Sequence, residues 1–430
     1  MSRFTFESIE LPDSVETLRQ QVRRFLAEEQ AKMTFTPQCD SWLSGFSPEF
    51  SQKLGDMGWI GMVWPKQYGG HERSTLERYV VMEELLAQGA PVAAHWVADR
   101  QMGPMILRHG TEEQKARFLP DMAKGTSHWA IGMSEPNAGS DLSAAQAKLT
   151  PDGDGWRLSG QKLWTSGAHR CQYMIALCRS GPSGEDRHGG LTNVIVDLTD
   201  PAVTIRPIYL ISGEHHFNEV IFNDVSIPSN MVIGNPGDGW HQVTEELAHE
   251  RSGPERFLST LPLLEAIVDV TRDSSDRYLQ REVAALVSEL SALRQLSLSI
   301  AGILQHGGNP VVEAALVKDA GTRFERKVTE LGERVLLETT GVGRESGPEG
   351  GLNLDFRHMD PGPRLELGHS LELGHSLEPG HSLELEQRVE PGSPAHTLLT
   401  QAVLHGPGFT IRGGTNEILR GIVARGLGLR

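Results

Sequence analysis

The sequence predicts an α+β fold in which helices come first, short strands follow, and helices return. Apolar residues recur at three- and four-residue spacing over 12–30, 75–88 and 103–118, which is typical of helices with one buried face. From about residue 128 the period changes to short β-branched or aromatic segments. No helical pattern separates these strands, so we expect an antiparallel sheet or a small barrel. Helical periodicity then returns over 239–340.

The predicted strands lie in the middle of the chain. They are His128–Met133, Trp156–Ser159, Tyr173–Cys178, Thr192–Asp197, Val203–Pro207 and Glu219–Phe222. Clusters of Gly, Pro, Asp and Ser separate them and mark turns. We therefore expect an N-terminal helical domain over 1–127, a central β domain over 128–236 and a C-terminal helical domain over 237–430.

Composition excludes several classes of protein. The chain has 430 residues, enough for about three domains, and its net charge of −16 argues against a broad basic surface for nucleic acid. No apolar stretch reaches the roughly 18 residues that a membrane helix needs. Three cysteines are too few for a disulfide framework, and the first residues carry acids without an apolar run. We therefore expect no membrane span, no signal peptide and a cytoplasmic location.

A tandem hexamer repeat interrupts the third domain at about 361–392. LELGHS occurs twice and LEPGHS once, and the Gly or Pro in each repeat prevents a continuous helix. The few apolar groups cannot form a core, so we expect a solvated insertion. The alternative is a metal-binding tract that uses His369, His375 and His381. Evenly spaced histidines without other ligands are a weak metal signal, and we assign no metal site.

Two turns in the strand region could contact a flat, phosphate-bearing ligand. In 133–141 small residues let the backbone approach a ligand, and serine hydroxyls can hold a phosphate or a heterocycle edge. In 160–167 Trp164 could cover a flat cofactor while the hydroxyl of Thr165 or Ser166 meets its polar edge. Taken alone, a Pro-Asn-Gly turn and a core tryptophan explain the same residues.

A helix at the start of the third domain carries a carboxylate among apolar residues. Its apolar stripe is Trp240, Val243 and Leu247. Glu250 follows on that stripe, whereas Glu245 and Glu246 are expected to point elsewhere. Burial of a carboxylate is costly unless it is paired, and it raises the pKa toward a value useful for a general base. Arg251 is expected on the same face. The alternative interpretations are a local ion pair and a glutamate whose carboxylate extends past the apolar face into solvent.

The segment 412–420 joins Gly413-Gly414 to the final helix. Free N–H groups at such a helix start attract anions or carbonyl oxygens, although simple capping explains the pattern equally. Elsewhere, Gly341–Gly347 misses the dinucleotide fingerprint by one residue and follows no strand, so a Rossmann site is unsupported. His215-His216 is expected to be a loop pair and not a ligand set.

Taken together and in this order, these segments resemble the acyl-CoA dehydrogenase family. Further matching segments are WPKQYGG at 64–70, GTEEQK at 110–115, FNEVIFNDVSIP at 217–228 and the C-terminal GGTNEILRGIVARGLGL. The likeness covers nearly the whole chain except the hexamers. It implies that the C-terminal helices form a four-helix bundle, that FAD is held without a Rossmann fold, and that the protein is a homotetramer or homodimer.

The resemblance also implies which residues contact FAD. They are Met133, Ser134, Ser140, Trp164, Thr165, Ser166, Thr415 and Glu417. The first two match contacts to the flavin ring, and the third matches a contact to the pyrophosphate or to CoA. Trp164 matches the aromatic residue packed on the flavin, Thr165 lies beside it, and Ser166 matches the hydroxyl near flavin N5. The last two match positions at the start of a helix that contact FAD.

The resemblance leaves two possible places for a catalytic base. Many members carry it directly before the final Gly-Thr, where this chain has Gly413 preceded by Arg412. Another branch, which includes isovaleryl- and long-chain-type enzymes, carries it on the earlier helix in a Glu-Arg pair. Glu250-Arg251 matches that branch, so the resemblance and the helical stripe both indicate Glu250, with Arg251 as a substrate contact.

The activity that the resemblance implies is desaturation of an acyl-CoA thioester to a trans-2-enoyl-CoA. Glu250 would take the α-proton while a β-hydride passes to flavin N5, and an electron-transferring flavoprotein would accept the electrons. Two alternatives stay open. One is a flavin monooxygenase or oxidase on the same scaffold, which would not need a base there. The other is a non-catalytic subunit of a hetero-oligomeric dehydrogenase, which the altered region 339–392 suggests.

Overall fold

The computed structural model describes most of the chain outside the predicted insertion. The described residues are 4, 6–182, 187–250, 253–337 and 392–429, with the backbone alone at 247–250 and 337. The hexamer repeats with their three histidines, and the glycine-rich Gly341–Gly347, lie outside these residues. The predictions made for them therefore stay predictions.

Amphipathic helices build the N-terminal domain. They are α1 (Asp13–Ala31), α2 (Ser41–Ser44), α3 (Pro48–Asp56), α4 (Thr75–Ala87), α5 (Ala93–Val97), α6 (Gly103–His109) and α7 (Glu112–Ala123). The predicted helices at 12–30 and 75–88 correspond to α1 and α4. The predicted helix at 103–118 is two helices, because Thr111 begins a new one. Its hydroxyl accepts a hydrogen bond from the Gln114 amide, and the Gln114 side chain accepts one from the Thr111 amide.

A seven-stranded sheet forms the middle of the described chain. Its strands are β1 (Trp129–Gly132), β2 (Lys148–Asp152), β3 (Gly155–Ser166), β4 (Tyr173–Arg179), β5 (Leu191–Asp197), β6 (Val203–Tyr209) and β7 (His215–Ile227). The order is β1-β4-β2-β3-β7-β6, and β5 pairs with β4. The pairs β2–β3, β3–β7, β4–β5 and β6–β7 are antiparallel, as expected. β1 and β2 run parallel to β4, which the long connections between these strands permit.

The C-terminal helices pack around α11. They are α8 (Gly239–Glu250), α9 (Leu261–Thr271), α10 (Arg277–Gln305), α11 (Val311–Leu337), α12 (Pro394–Phe409) and α13 (Asn416–Gly426). α11 contacts α9, α10, α12 and α13, and Val328 and Leu331 of α11 lie in the large core that these helices share with the N-terminal domain. The predicted order of helical domain, sheet domain and helical domain is therefore confirmed, while the exact domain boundaries stay predictions.

Within the described chain, α10 alone is long and apolar enough to cross a membrane by length and composition. Its residues Leu286, Leu290 and Leu293 are buried in the shared core. A core helix passes the same test, so this feature is weak evidence for a membrane span.

Candidate active site

The bulge in β3 holds Trp164 in an unusual backbone conformation. The register of β3 against β7 shifts between Lys162 and Thr165, and Trp164 has a φ of +61°, which residues other than glycine rarely adopt. Its side chain is 55% exposed, and its ring lies edge-on to that of Phe217 at 5.8 Å between centroids. The strained backbone therefore presents a large aromatic surface that a flat ligand could cover.

The two hydroxyl residues after Trp164 lie in different environments. Thr165 is buried, and its carbonyl accepts a hydrogen bond from Asn218 Nδ2 at 2.9 Å. Its hydroxyl has no hydrogen-bond partner among the described residues. A buried polar group left unpaired costs about 1–3 kcal/mol, so a polar ligand atom or a water is expected here. Ser166 is half-buried and pairs with Phe217.

Two histidines beside this bulge correct one prediction. His215-His216 begins strand β7 and is not a loop pair. The His215 ring stacks on that of His169 at 3.7 Å. Burial, together with the positive neighbours His405 and Arg412, lowers the pKa of His216 to about 4 against the opposing effect of Asp40, so its imidazole is neutral. The sequence-based interpretation missed these residues because their contacts arise from strand pairing.

The turn after β1 is tied directly to the Trp164 bulge. The Ser134 carbonyl accepts a hydrogen bond from the Leu163 amide at 2.8 Å. Lys162 is fully buried, and its ammonium donates to the Met133 carbonyl at 3.2 Å and to Glu135 Oε1 at 2.7 Å. The two predicted ligand-contacting turns therefore meet. Lys162 and Glu135 lie within the two motifs, but sequence reasoning did not single them out.

The remaining residue predicted in this turn, Ser140, lies at its exposed end. In the same turn, Glu135 is anchored further by the backbone amides of Gln146 and Ala147, at 2.7 and 2.9 Å. A carboxylate that accepts two amides and an ammonium is a rigid support. The turn is therefore fixed at Glu135 and open to solvent at Ser140.

The final helix begins as its sequence predicts. Gly413 and Gly414 have φ values of +64° and +94°, and the Thr415 hydroxyl caps α13 by accepting from the Ile418 amide. Buried Lys318 donates to the Gly414 carbonyl at 2.5 Å. Exposed Glu417 accepts hydrogen bonds from its own amide and from the Thr415 hydroxyl, which lower its pKa below the ordinary value. Both predicted residues, Thr415 and Glu417, thus lie at a helix start.

Half-buried Arg412 forms an ion pair with buried Asp40 that joins the N-terminal and C-terminal parts of the chain. Its guanidinium donates to Asp40 Oδ2 at 2.6 Å and to Ser259 Oγ at 3.3 Å. It also lies over the rings of Trp42 and Phe409, at 4.4 and 5.0 Å from their centroids. Burial alone would raise the pKa of Asp40, but Arg412 and a neighbouring histidine more than offset this and hold it at about 2.

A chain of polar contacts connects this ion pair to the sheet. His405 Nδ1 lies 3.4 Å from Asp40 Oδ2, and His405 Nε2 lies 2.8 Å from Glu214 Oε2. Burial would lower the pKa of His405, but these two carboxylates raise it above the ordinary value. Glu214 directly precedes His215, which stacks beside the Trp164 strand. The segments around 164 and 412 therefore border one polar region.

A second buried carboxylate lies in the same region. Glu325 of α11 accepts a hydrogen bond from the Ser259 amide at 2.9 Å. Burial raises its pKa to about 7, although Arg412 and this hydrogen bond oppose the shift. Sequence reasoning missed Glu325 because it lies in a regular helix with no motif around it.

Helix α8 differs from its prediction at Glu246. Val243 is buried as expected, and Trp240 stacks on His188 at 4.2 Å. Glu245 contacts His109 at 3.0 Å, but Glu246 is buried and accepts a hydrogen bond from Gln101. The expectation that Glu246 points elsewhere is wrong, because it follows Val243 by three residues and shares its face.

Glu250 is the last residue of α8, and its side chain lies outside the described part of the chain. Arg251 lies outside it as well. The assignments of Glu250 as base and Arg251 as substrate contact therefore stay predictions, as do the assigned cofactor roles of the residues above.

The chain is similar to known proteins over both of its first two domains. The family described as "Acyl-CoA dehydrogenase, N-terminal domain" matches residues 12–126, and "Acyl-CoA dehydrogenase, middle domain" matches residues 130–225. Acyl-CoA dehydrogenase FadE29 of Mycobacterium tuberculosis is 32% identical over 291 residues, which are 66% of this chain and 74% of that relative. Acyl-CoA dehydrogenase IpdE1 of Mycolicibacterium smegmatis is 33% identical over 333 residues, 74% of this chain and 81% of that relative.

Solved structures share the fold over nearly the whole length. The structure titled "Tcur3481-Tcur3483 steroid ACAD" has a TM-score of 0.75 at 25% identity and covers 98% of this chain and 99% of its own. The ChsE4-ChsE5 complex from Mycobacterium tuberculosis has a TM-score of 0.75 at 25% identity, with coverage of 99% and 100%. The chain belongs to the acyl-CoA dehydrogenase family. It is therefore an oxidoreductase of a family of flavoproteins that oxidise acyl-CoA thioesters.

Proposed function

We propose that this chain desaturates an acyl-CoA thioester to a trans-2-enoyl-CoA with FAD as cofactor and Glu250 as base. The observation that carries the proposal is the meeting of three distant segments. The turn 133–135 is bonded to the strand 162–166. From Thr165, hydrogen bonds lead through Asn218 to His215. From the adjacent Glu214, ion pairs through His405 and Asp40 reach Arg412, before the start of the final helix. These are the segments that resemble the family's cofactor site.

The residues in these segments fit a flavin. Trp164 offers an exposed aromatic surface, and the buried Thr165 hydroxyl lacks a partner among the described residues. The start of α13, with Thr415 at its cap, favours a phosphate or a carbonyl oxygen. We propose that Met133, Ser134 and residues 164–166 contact the flavin ring. We propose that Ser140, Thr415 and Glu417 contact the remainder of FAD.

When bound, FAD supplies the acceptor for the β-hydride. The protein's own task is to remove the α-proton, which is only weakly acidic, and we assign this task to Glu250. Glu250 ends α8 four residues after the buried Glu246. This spacing supports our proposal that Glu250 lies at the edge of the core. Donors near the thioester carbonyl would stabilise the negative charge as it forms, and we assign Arg251 to bind the substrate beside the base.

The partners of this reaction are also part of the proposal. We infer an acyl-CoA substrate and an electron-transferring flavoprotein as electron acceptor, by analogy with the family. We propose a homotetramer or homodimer from the family resemblance, and a cytoplasmic location from the three cysteines, which are too few for a disulfide framework.

A second candidate is a subunit of a hetero-oligomeric dehydrogenase. Two similar structures are each named for a pair of chains, Tcur3481-Tcur3483 and ChsE4-ChsE5. In such an assembly this chain would act with a different partner chain. Co-expression with candidate partner chains, followed by size-exclusion chromatography, separates this candidate from the homo-oligomer.

The experiment that tests the proposed function is anaerobic reduction of the purified protein by a panel of acyl-CoA thioesters. We expect the oxidised-flavin absorption to bleach and a 2-enoyl-CoA to form. Rapid reoxidation by air with a hydroxylated product would instead indicate a monooxygenase. Protein that binds no flavin would indicate a non-catalytic subunit, and flavin that no thioester reduces would contradict the proposal.

A further inference from the structure

The helical segment that connects α5 to α6 contains a π-helical turn, Ala98–Met102. Such turns are rare and often lie at functional sites. All five residues of this turn are buried, and three consecutive ones are polar, each under a tenth exposed: Asp99, Arg100 and Gln101. Each contacts a different part of the chain. Asp99 accepts hydrogen bonds from the Gly61 amide and from Arg78, both at 2.7 Å.

Gln101 contacts α8. Its side-chain amide donates to Glu246 Oε1 at 2.6 Å, and both side chains are buried. On another part of α8, Gln242 accepts a hydrogen bond from Asn193 at 2.8 Å and donates to the Ile233 carbonyl at 3.0 Å. The start and middle of α8 are therefore fixed by buried amides. Among the described side-chain hydrogen bonds of α8, the one from Gln101 lies four residues before the end of the helix at Glu250.

Arg100 contacts the chain beyond α8. Gly253 and Pro254 follow the end of α8, and proline removes an amide donor that a continuing helix would need. The turn that follows buries Glu255 completely, and Arg100 forms an ion pair with it. Arg256 lies 3.2 Å from the same carboxylate. A buried carboxylate with cationic partners is costly to disturb, so this contact holds the turn firmly.

The two contacts therefore lie on either side of Glu250 in the sequence. Glu246 precedes Glu250 by four residues, and Glu255 follows it by five. A helix that stops before Gly-Pro leaves its last carbonyls without helical partners and tends to fray. A displacement of about 1 Å at a reacting group can lower the rate by roughly a hundredfold. An external support on both sides of a base would prevent such displacement.

We propose that Arg100 and Gln101 are positioning residues that hold the end of α8 from both sides and so fix Glu250 at the substrate. This inference rests on the proposed function, which makes Glu250 the base. Neither residue contacts the reacting atoms in this proposal. Both act through the backbone of α8 and of the turn at 253–256.

The test compares variants of one turn in the full-length FAD-loaded enzyme. Arg100→Gln and Gln101→Leu each remove one support, and Arg100→Lys keeps the charge. Arg78→Gln is the matched control, because it breaks a partly buried ion pair to the same turn without touching α8. We expect kcat to fall at least tenfold in Arg100→Gln and Gln101→Leu, with KM changed less than threefold. Arg100→Lys should recover most of kcat, and the control should keep it.

Hydrogen exchange supplies a readout that does not depend on activity. We expect the amides of 243–250 to exchange at least tenfold faster in Gln101→Leu than in the Arg78→Gln control. Exchange equal to that of the control together with unchanged kcat in Gln101→Leu would overturn the proposal, even if Arg100→Gln fails to fold. If no thioester reduces the wild-type flavin, the proposed function fails, while the exchange data still decide whether Gln101 supports α8.

Discussion

The buried ion pair between Asp40 and Arg412 should be among the most sensitive contacts between the N-terminal and C-terminal parts of the chain. Asp40 is 1% exposed and Arg412 is 15% exposed as side chains. Asp40→Asn keeps the shape and removes the charge, which leaves the guanidinium without its carboxylate. Breaking a buried pair from one side costs about 3–5 kcal/mol. His405 also loses a charged neighbour, so we expect Asp40→Asn to lower the free energy of unfolding by at least about 3 kcal/mol.

The expected loss can be measured as a shift in Tm. In domains of roughly 150–250 residues, 1 kcal/mol corresponds to about 2–4 °C, so a loss of about 3 kcal/mol lowers Tm by roughly 6–12 °C. Tryptophan fluorescence is a suitable probe because Trp42 lies against the Arg412 guanidinium. The pKa of about 2 keeps Asp40 ionised at mildly acidic pH, and its stabilisation fades only as pH falls from its ordinary 3.8 toward that value. The deficit should therefore persist at about pH 5.

The matched control is Asp152→Asn, which breaks the exposed ion pair with Arg157. Exposed pairs contribute about 0–1 kcal/mol, so Tm should fall by less than about 4 °C. If Asp40→Asn and Asp152→Asn lower Tm equally, the ion pair of Arg412 does not join the two parts of the chain as described.

Three further predictions concern single side chains. Burial raises the pKa of Glu325 from its ordinary 4.5 to about 7, so the stability of the folded chain falls as pH rises between these values. Glu325→Gln removes this loss. The Tm of the variant should therefore rise relative to that of wild type when both are measured from about pH 5 to pH 8. Trp164→Gly relieves a positive φ that costs about 1 kcal/mol, so the apoprotein should melt no lower than wild type, while less flavin is retained on gel filtration. Thr415→Ala removes a helix cap worth about 1 kcal/mol, and Tm should fall by a few degrees.

Local sequence patterns predicted the elements that have one buried face. α1 shows this best, because Val15, Leu18 and Val22 are all buried and recur at helical spacing. Strand β2 was missed because its sequence KLTPD contains proline and buries only Leu149. The parallel pairing of β1 with β4 was also missed, because segments that pair across some 40 residues leave no mark in local alternation.

The candidate site was predictable where each motif is continuous in the sequence. The segments around Ser134, Trp164 and Thr415 were found in this way, and the contact between Ser134 and Leu163 brings the first two together. The supports of these segments could not be found from periodicity. Lys318 reaches Gly414 across 96 residues. Pairs so distant meet only through tertiary packing, which a single sequence does not display.

Glu246 shows how a one-residue choice changes an interpretation. Glu250 lies three residues after Leu247 and therefore shares its face of the helix. Glu246 lies three residues after Val243 and shares that residue's face for the same reason. The hydrogen bond from Gln101 now gives Glu246 a structural role. It also makes Glu246 the sharpest control for the proposed base, because both are carboxylates on the same helix.

The most direct measurement is therefore stopped-flow reduction of the flavin under anaerobic conditions in Glu250→Gln and Glu246→Gln, with an acyl-CoA that reduces the wild type. If Glu250 is the base, its replacement slows flavin reduction at least about a hundredfold while the thioester still binds, and Glu246→Gln stays within about tenfold of wild type. Flavin reduction at the wild-type rate in Glu250→Gln, or a larger loss in Glu246→Gln, would contradict the assignment.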